Sequence, residues 1–308
     1  MSGPVPRESA SRCALQAQLR GDPMAGTAPP ASRLLLVEQA GPWGPRGLTE
    51  SRADADLARQ VDELAAAGGA RMQAIREPAR HAGRAKGHRV ALADTRDGQQ
   101  VTWWWRVDDL AELLEQLARR SPDAPADLVA PDDAVEDRDP VYLVCTHGKH
   151  DACCALRGRP VATALAEVRP GRVWETTHVG GDRFAANLLV LPYGEMYGRV
   201  LPFAASDFVD RIEAGDVVPG LMRGRAGLPP VAQAALVFAH ERLAETRRDA
   251  FAVTGIEKLE DGTTTVGLQS AHGPVTAVMA TEISEPNKLT CRGPQGVRAR
   301  VYRGVTLR

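Results

Sequence analysis

Residues 141–154 read VYLVCTHGKHDACC. The first four, Val141 to Val144, form an unbroken apolar run with the length and β-branched content of a buried strand. The next ten residues hold three of the chain's five cysteines and two of its seven histidines. Sulfur and imidazole donors at this density point to a metal site, a redox thiol or a nucleophile. A buried strand running directly into such a loop is an α/β feature, because those folds place their sites at the carboxyl ends of strands.

Downstream of the loop, Val161 to Val168 reads as helix and Arg172 to His178 as a strand. A short helical turn is expected around Phe184 to Asn187. Leu188–Leu191 and Met196–Val200 form a hairpin across Tyr193-Gly194, and Ser206 opens a helix with Phe208, Val209 and Ile212 on one face. Upstream, after an opening helix over Glu8 to Arg20, the same order occurs once before. Leu34–Val37 is a strand, followed by the turn-forming GPWGPRG. Asp54 to Ala67 is a helix with Leu57, Val61 and Leu64 on one face. Ala70–Ile75 is a strand, and His88–Ala93 and Val101–Val107 flank Asp97-Gly98, a hairpin signal. Asp108 and Asp109 then stand where they can cap a helix carrying Leu110, Leu113, Leu114 and Leu117. A β-α-β unit followed by a hairpin and a helix is a thioredoxin-like layout, here present twice. The right-handed crossover makes the first two strands of each copy parallel.

The expected organisation is a degenerate thioredoxin-like domain over 1–120, a Pro-, Asp- and Ala-rich linker over 121–139, and a second thioredoxin-like domain over 140–216. The region 217–308 adds a helix from Pro229-Pro230 to about Arg247. Its β-prone runs are Thr263–Gln269, Val275–Ala280 and a last strand near Val297–Tyr302.

The chain has 308 residues, 44% of them hydrophobic, and a net charge of −1. This is ordinary globular composition, without the basic surface that nucleic-acid binding requires. The first residues, MSGPVPRESASR, lack the apolar core of a secretory signal. No apolar run approaches the roughly 18 residues of a membrane span. The expectation is a cytoplasmic protein. The strong preference for Arg over Lys, with abundant Ala, Gly and Pro, suits a GC-rich bacterial source. Five cysteines do not make a disulfide scaffold. Cys13 and Cys291, remote from the cluster in sequence, read as small buried hydrophobes.

The site assembles from two segments. Cys145 ends one strand and His178 ends its parallel neighbour, roughly 4.8 Å away in the hydrogen-bonding direction. Cys154 returns after the loop. Val179-Gly180-Gly181-Asp182 then turns back, Gly180 and Gly181 giving the tight, closely approached backbone that brings Asp182 to the same edge. Two thiolates, an imidazole and a carboxylate suit a [2Fe–2S] cluster with one iron on sulfur and one on harder donors. They also suit tetrahedral zinc, although the Cys-x8-Cys spacing is wider than a zinc knuckle. A thiol redox centre at Cys153 or Cys154 is a third reading, weakened by the lack of a Cys-x2-Cys helix start.

The runs CTHGKHDACCALRGRP and HVGGDRFAANLLVLPYGEMYGRV, with GTAPPASRLLLVEQAGPWG nearer the N-terminus, resemble the sucrase/ferredoxin-like proteins, a branch of the thioredoxin-like [2Fe–2S] ferredoxins. Fungal members bind the cluster through two Cys and two His. The resemblance implies Cys145 and Cys154 as the sulfur ligands and His178 as the first histidine of their His-x3-His motif. Their second histidine falls on Asp182. It implies an electron carrier with an unidentified redox partner protein, not a catalyst. No pair of glycosidase carboxylates supports sucrase activity.

Cys153, His147 and Arg183 are secondary candidates: Cys153 as a reserve ligand or redox partner, His147 as a loop-capping donor, and Arg183 as a residue flanking the site. Asp151 reads as a helix cap. Trp103-Trp104-Trp105 alternates faces in a strand and reads as core. The first copy, with Glu38-Gln-Ala-Gly-Pro-Trp43-Gly after its strand, carries no ligands.

Overall fold

A computed structural model describes residues 11–78, 87–119 and 127–308. Glu8 to Ala10 of the expected opening helix and Ser121 to Ala126 of the expected linker lie outside the described residues. In chain order the elements are α1 (Cys13–Leu19), β1 (Arg33–Glu38), α2 (Ala55–Ala67), β2 (Ala70–Arg76), β3 (His88–Asp94), β4 (Val101–Val107) and α3 (Leu110–Leu117). There follow β5 (Val135–Asp137), β6 (Val141–Cys145), α4 (Ala152–Val168), β7 (Val173–Thr176), β8 (Leu188–Leu191), β9 (Glu195–Tyr197), α5 (Ala205–Glu213) and β10 (Met222–Arg225). The last elements are α6 (Pro230–Leu243), β11 (Phe251–Lys258), β12 (Thr264–Ser270), β13 (Gly273–Ile283) and β14 (Arg300–Leu307).

The first ten strands form one mixed sheet in the order β10-β9-β8-β6-β7-β2-β1-β3-β4-β5. The pairs β1–β2 and β6–β7 are parallel, as the crossover rule requires. Each half repeats the other outward from the centre: β2-β1-β3-β4 on one side and β7-β6-β8-β9 on the other. The halves join through β2 and β7, which run antiparallel and pair only at Ile75–Thr176 and Arg76–Glu175. These are the last residues of both strands, so the carboxyl ends of the two halves meet in the middle of the sheet. That junction brings the loop after β1 to the site after β6.

Strand alternation divides the core. Leu35 and Val37 pack beneath α2 and α3, while Leu34 and Leu36 face the opposite side with Leu143, Cys145 and Trp174. Tyr142 and Val144 face α4 and α5. Asp54 and Asp109 cap α2 and α3 by accepting from backbone N–H groups of the first turn. Trp103 and Trp105 pack with the α2–α3 core and Trp104 with the other face, where it stacks on Trp174 at 5.6 Å. Strands β11 to β14 form a separate antiparallel sheet, covered by α6 through Ala232, Ala235, Leu236 and Ala239.

Three local differences from the sequence expectations matter. Helix α4 extends the expected Val161–Val168 helix back to Ala152 and carries Pro160 inside it. Its start is set by Asp151, whose carboxylate accepts from the Cys153 N–H at 2.8 Å. The missing N–H of Pro160 falls opposite Leu156, which is 48% exposed, so water can satisfy that carbonyl. Strand β10, reading MRGR, is fully buried despite its arginines. A short edge strand, β5, lies within the expected linker.

Candidate metal centre

Cys145 is the last residue of β6 and is 0% exposed. Its N–H donates to Asn187 O at 3.0 Å, fixing the strand end against β8. Helix α4 crosses this end very closely because residue 158 is glycine. A Cβ there would lie 2.1 Å from the Cys145 carbonyl oxygen. The first turn of α4 then delivers Cys154, also 0% exposed, so that Cys145, Cys154 and His178 present ligand atoms within 4.8 Å of one another.

His178 lies two residues beyond β7. Its N–H donates to His147 Nδ1 at 3.2 Å, and His147 Nε2 meets Gly44 O at 2.7 Å. Both ring nitrogens of His147 are therefore engaged. Its Nδ1 accepts, so Nε2 carries the proton. Trp43 closes edge-on against the same ring at 6.0 Å. The ligand-free loop of the first half thus builds one wall of the site and holds His147 as a brace for His178.

Gly180 and Gly181 both have positive φ, 88° and 75°. A Cβ on Gly180 would strike Pro29, and one on Gly181 would strike the Arg223 guanidinium at 2.4 Å. Arg223 is 0% exposed and donates to Gly180 O, Asn187 Oδ1, Thr27 Oγ1 and Thr27 O. Burial lowers its pKa to about 9, still leaving a cation beneath the loop. Arg71, from β2, donates to His178 O at 3.0 Å. Two guanidinium groups therefore offset the negative charge that thiolates and Asp182 bring.

Asp182 Oδ1 is 3.0 Å from His178 Nδ1 and accepts from Cys154 Sγ at 3.2 Å. His150 stacks on His178 with centroids 3.7 Å apart, its Nε2 3.8 Å from Asp182 Oδ2. His150, His178 and Asp182 form a second donor group within 4.8 Å. Arg183 instead turns toward Asp22, with Nε 3.6 Å from its carboxylate. Cys153, on the opposite side of the α4 turn from Cys154, lies with Cys13 and Cys291.

The electrostatics separate the groups. The Cys154 thiol hydrogen-bonds Cys145, which together with His178 holds Cys145 well below the ordinary thiol range, against the effect of burial. The proton remains on Cys154, whose pKa is raised by that bond and by burial. Burial opposes charge on His178, but Asp182 and Cys145 outweigh it and push its pKa up to about 9. Burial likewise opposes charge on Asp182, yet His178 holds its carboxyl below the usual range. Burial lowers the pKa of His147 and, with His178, that of His150.

This donor set fits a thiophilic metal. Two sulfurs, an imidazole and a carboxylate converge from β6, α4 and the loop after β7. His178 Nδ1 stands 3.0 Å from Asp182 Oδ1, so the imidazole and the carboxylate meet as a charge pair at the edge of the two sulfurs.

The fold and site define a mixed α/β protein with a buried Cys/His/Asp centre at the carboxyl ends of a parallel strand pair. Residues 24–224 match the family model described as sucrase/ferredoxin-like. The chain belongs to that family. A search of curated proteins and one of solved structures gave no match. Among the described residues no helix is long and apolar enough to cross a membrane.

Sequence reasoning missed three contributors. Gly158 is one glycine in CCALRGRP, informative only if α4 is known to begin before it. Arg223 stands in a polar tetrapeptide that does not read as a strand. His150 is one more histidine in a crowded loop, with no strand end or turn to place it, yet it comes within 4 Å of Asp182.

Proposed function

We propose that this chain is an electron carrier that holds one [2Fe–2S] cluster through Cys145, Cys154, His178 and Asp182. Such a cluster supplies one-electron storage with a potential set by ligands, charge and burial. The observation that carries this reading is the convergence of two buried cysteines from separate elements with the His178 ring, itself paired with the Asp182 carboxylate. We read the two sheet halves as thioredoxin-like units, the first keeping the layout and supplying the wall and brace. Cys145 and Cys154 lie inside, whereas the side chains of His178 and His150 are 20% and 38% exposed. Electrons would pass at this histidine edge, to a protein partner in a reducing cytoplasm.

His150 competes with Asp182 as the second hard donor, because its ring already overlies His178. A single zinc or iron ion is the second reading. It is favoured by the compactness of the group, since donors bound to one ion at about 2.0–2.3 Å stand close together.

Anaerobic purification followed by visible absorption and by iron and sulfide quantitation tests the proposal. About two irons and two sulfides per chain are expected, lost in Cys154→Ser. His150→Ala leaves the content unchanged if Asp182 is the ligand. Stoichiometric metal with no sulfide after anaerobic reconstitution refutes the cluster and leaves the single-ion reading.

A further inference from the structure

A second group of sulfurs lies on the other side of the α4 turn. Cys13 opens α1, Cys153 is the second residue of α4, and Cys291 belongs to the connection between β13 and β14. Their sulfur atoms form a nearly equilateral triangle: 3.6 Å from Cys13 to Cys153, 3.4 Å from Cys153 to Cys291 and 3.5 Å from Cys291 to Cys13. The carboxylate of Asp151, 0% exposed, lies 3.9 and 4.0 Å from the Cys13 sulfur. All four groups fall within 4.8 Å of one another.

The triangle does not have disulfide geometry. A disulfide needs about 2.05 Å between two sulfurs and would exclude the third. A tetrahedral ion bound at about 2.3 Å sets its sulfurs about 3.8 Å apart, close to these edges. With the observed edges, such an ion would stand about 1 Å out of the plane of the three sulfurs. The surrounding backbone is arranged for anionic donors. The Cys13 N–H donates to Cys291 Sγ, and the Cys153 and Cys291 N–H groups donate to Asp151 Oδ1 and Oδ2 at 2.8 and 2.6 Å. Thr290 Oγ1 also donates to Oδ2, so Oδ1 keeps the freer lone pairs. Two buried thiols, a partly exposed third and a buried carboxylate are thus brought together from three remote segments.

We propose that Cys13, Cys153, Cys291 and Asp151 form a structural site for one thiophilic divalent cation, zinc, separate from the Cys145 centre. Its ligands tie α1 and the β13–β14 connection to the first turn of α4. The next residue of that turn is Cys154, so the site also fixes where a ligand of the other centre stands. Cys291, the one partly exposed ligand, marks the side from which the ion enters.

The full-length protein, loaded with zinc under reducing conditions and desalted, tests this by metal analysis of wild type, Cys291→Ser, Cys13→Ser and Cys154→Ser. Wild type is expected to hold one zinc at this site, and Cys291→Ser and Cys13→Ser to lose it tenfold or more while keeping their iron and sulfide. Cys154→Ser loses iron and sulfide but keeps the zinc, which separates failure of this inference from failure of the cluster reading. Chelation of zinc from the wild type is expected to lower its melting temperature, a measurement that needs no variant to fold. Zinc retained in both Cys291→Ser and Cys13→Ser, zinc lost only in Cys154→Ser, or less than a tenth of an equivalent in wild type overturns the proposal. A disulfide among the three cysteines in the freshly reduced, zinc-loaded protein also overturns it.

Discussion

Replacing Gly158 with alanine tests the packing that creates the candidate centre. On an isolated helix the change is favourable by about 1 kcal/mol. Here the new Cβ would stand 2.1 Å from the Cys145 carbonyl oxygen and 3.1 Å from its carbonyl carbon. An ordinary carbon–oxygen contact is about 3.3 Å, so α4 and the end of β6 must separate by about 1 Å. The obstacle is backbone in a central strand, tied to β8 through Asn187 O, and it cannot rotate away as a side chain would. Overpacking of this kind costs about 1–3 kcal/mol, and a rigid obstacle belongs at the upper end. Against the helix gain, a net loss of about 2 kcal/mol is expected. Because Cys154 rides on α4 and Cys145 ends β6, the same displacement pulls the two sulfurs apart. Urea unfolding and metal content per chain are the assays, and metal is expected to fall more steeply than stability. Gly158→Ala with wild-type stability and full metal content would refute the close-approach reasoning whichever metal is bound.

Three further outcomes follow from the same geometry. Asp182→His removes a negative charge from the candidate ligand set, so the reduction midpoint should rise in protein-film voltammetry; an unchanged or lower midpoint argues against carboxylate ligation. Arg223→Met leaves the carbonyls of Gly180 and Thr27 and the Asn187 amide oxygen without their buried donor. A loss of about 3 kcal/mol or more is expected by urea titration, and a loss below about 1 kcal/mol would show that the loop does not depend on this cation. His240 is 1% exposed, meets Glu245 O through Nδ1, and burial lowers its pKa from the ordinary 6.5. The unfolded chain therefore binds more protons below pH 6.5, and this contribution to stability is lost as pH falls from there toward the lower folded value. His240→Gln should flatten that part of the pH–stability curve, and an identical slope in both proteins would count against it.

The elements legible in the sequence were those with local causes. Leu34–Val37 and Val141–Val144 declare buried strands by composition, Asp54 and Asp109 declare helix starts by their side-chain oxygens, and Asp97-Gly98 declares a turn. Repetition of that order exposed the two-part sheet. The junction between the parts was not legible, because β2 and β7 pair through only two residues each, and one pair is Arg76 with Glu175. Buried ion-paired side chains read as surface when their partner is about a hundred residues away. Arg223 in β10 misleads in a related way, since its hydrogen-bond partners Thr27, Gly180 and Asn187 are remote in sequence. Asp151 read as a helix cap, but the continuity of α4 from Ala152 to Val168 was obscured by Pro160, a residue that ordinarily marks a first turn. Cys145, Cys154, His178 and Asp182 were predictable as neighbours because strand ends and a glycine turn set their positions. Cys13 and Cys291 carried no such frame. They are 278 positions apart and meet only because the β13–β14 connection reaches back to α1.

That return of the chain explains why the first turn of α4 is so rich in cysteine. Adjacent side chains on a helix diverge by about 100°, so Cys153 and Cys154 serve different sides of one turn. Cys154 faces Cys145 and the strand ends, while Cys153 faces α1 and the β13–β14 connection. The cap residue Asp151 fixes where the turn begins and so sets both directions at once. A sulfur ligand carried by a helix start needs that start held to a fraction of an ångström, and helix ends otherwise fray. Gly158 holds the helix to β6 from one side, and the Cys13–Cys153–Cys291 group holds its first turn from the other. The ligand-free half of the sheet acts in the same way at a distance, bracing His178 through Gly44 and His147. What CTHGKHDACC supplies is therefore two sulfurs of the candidate centre, the brace for His178, and one sulfur of the proposed anchor beside Cys154.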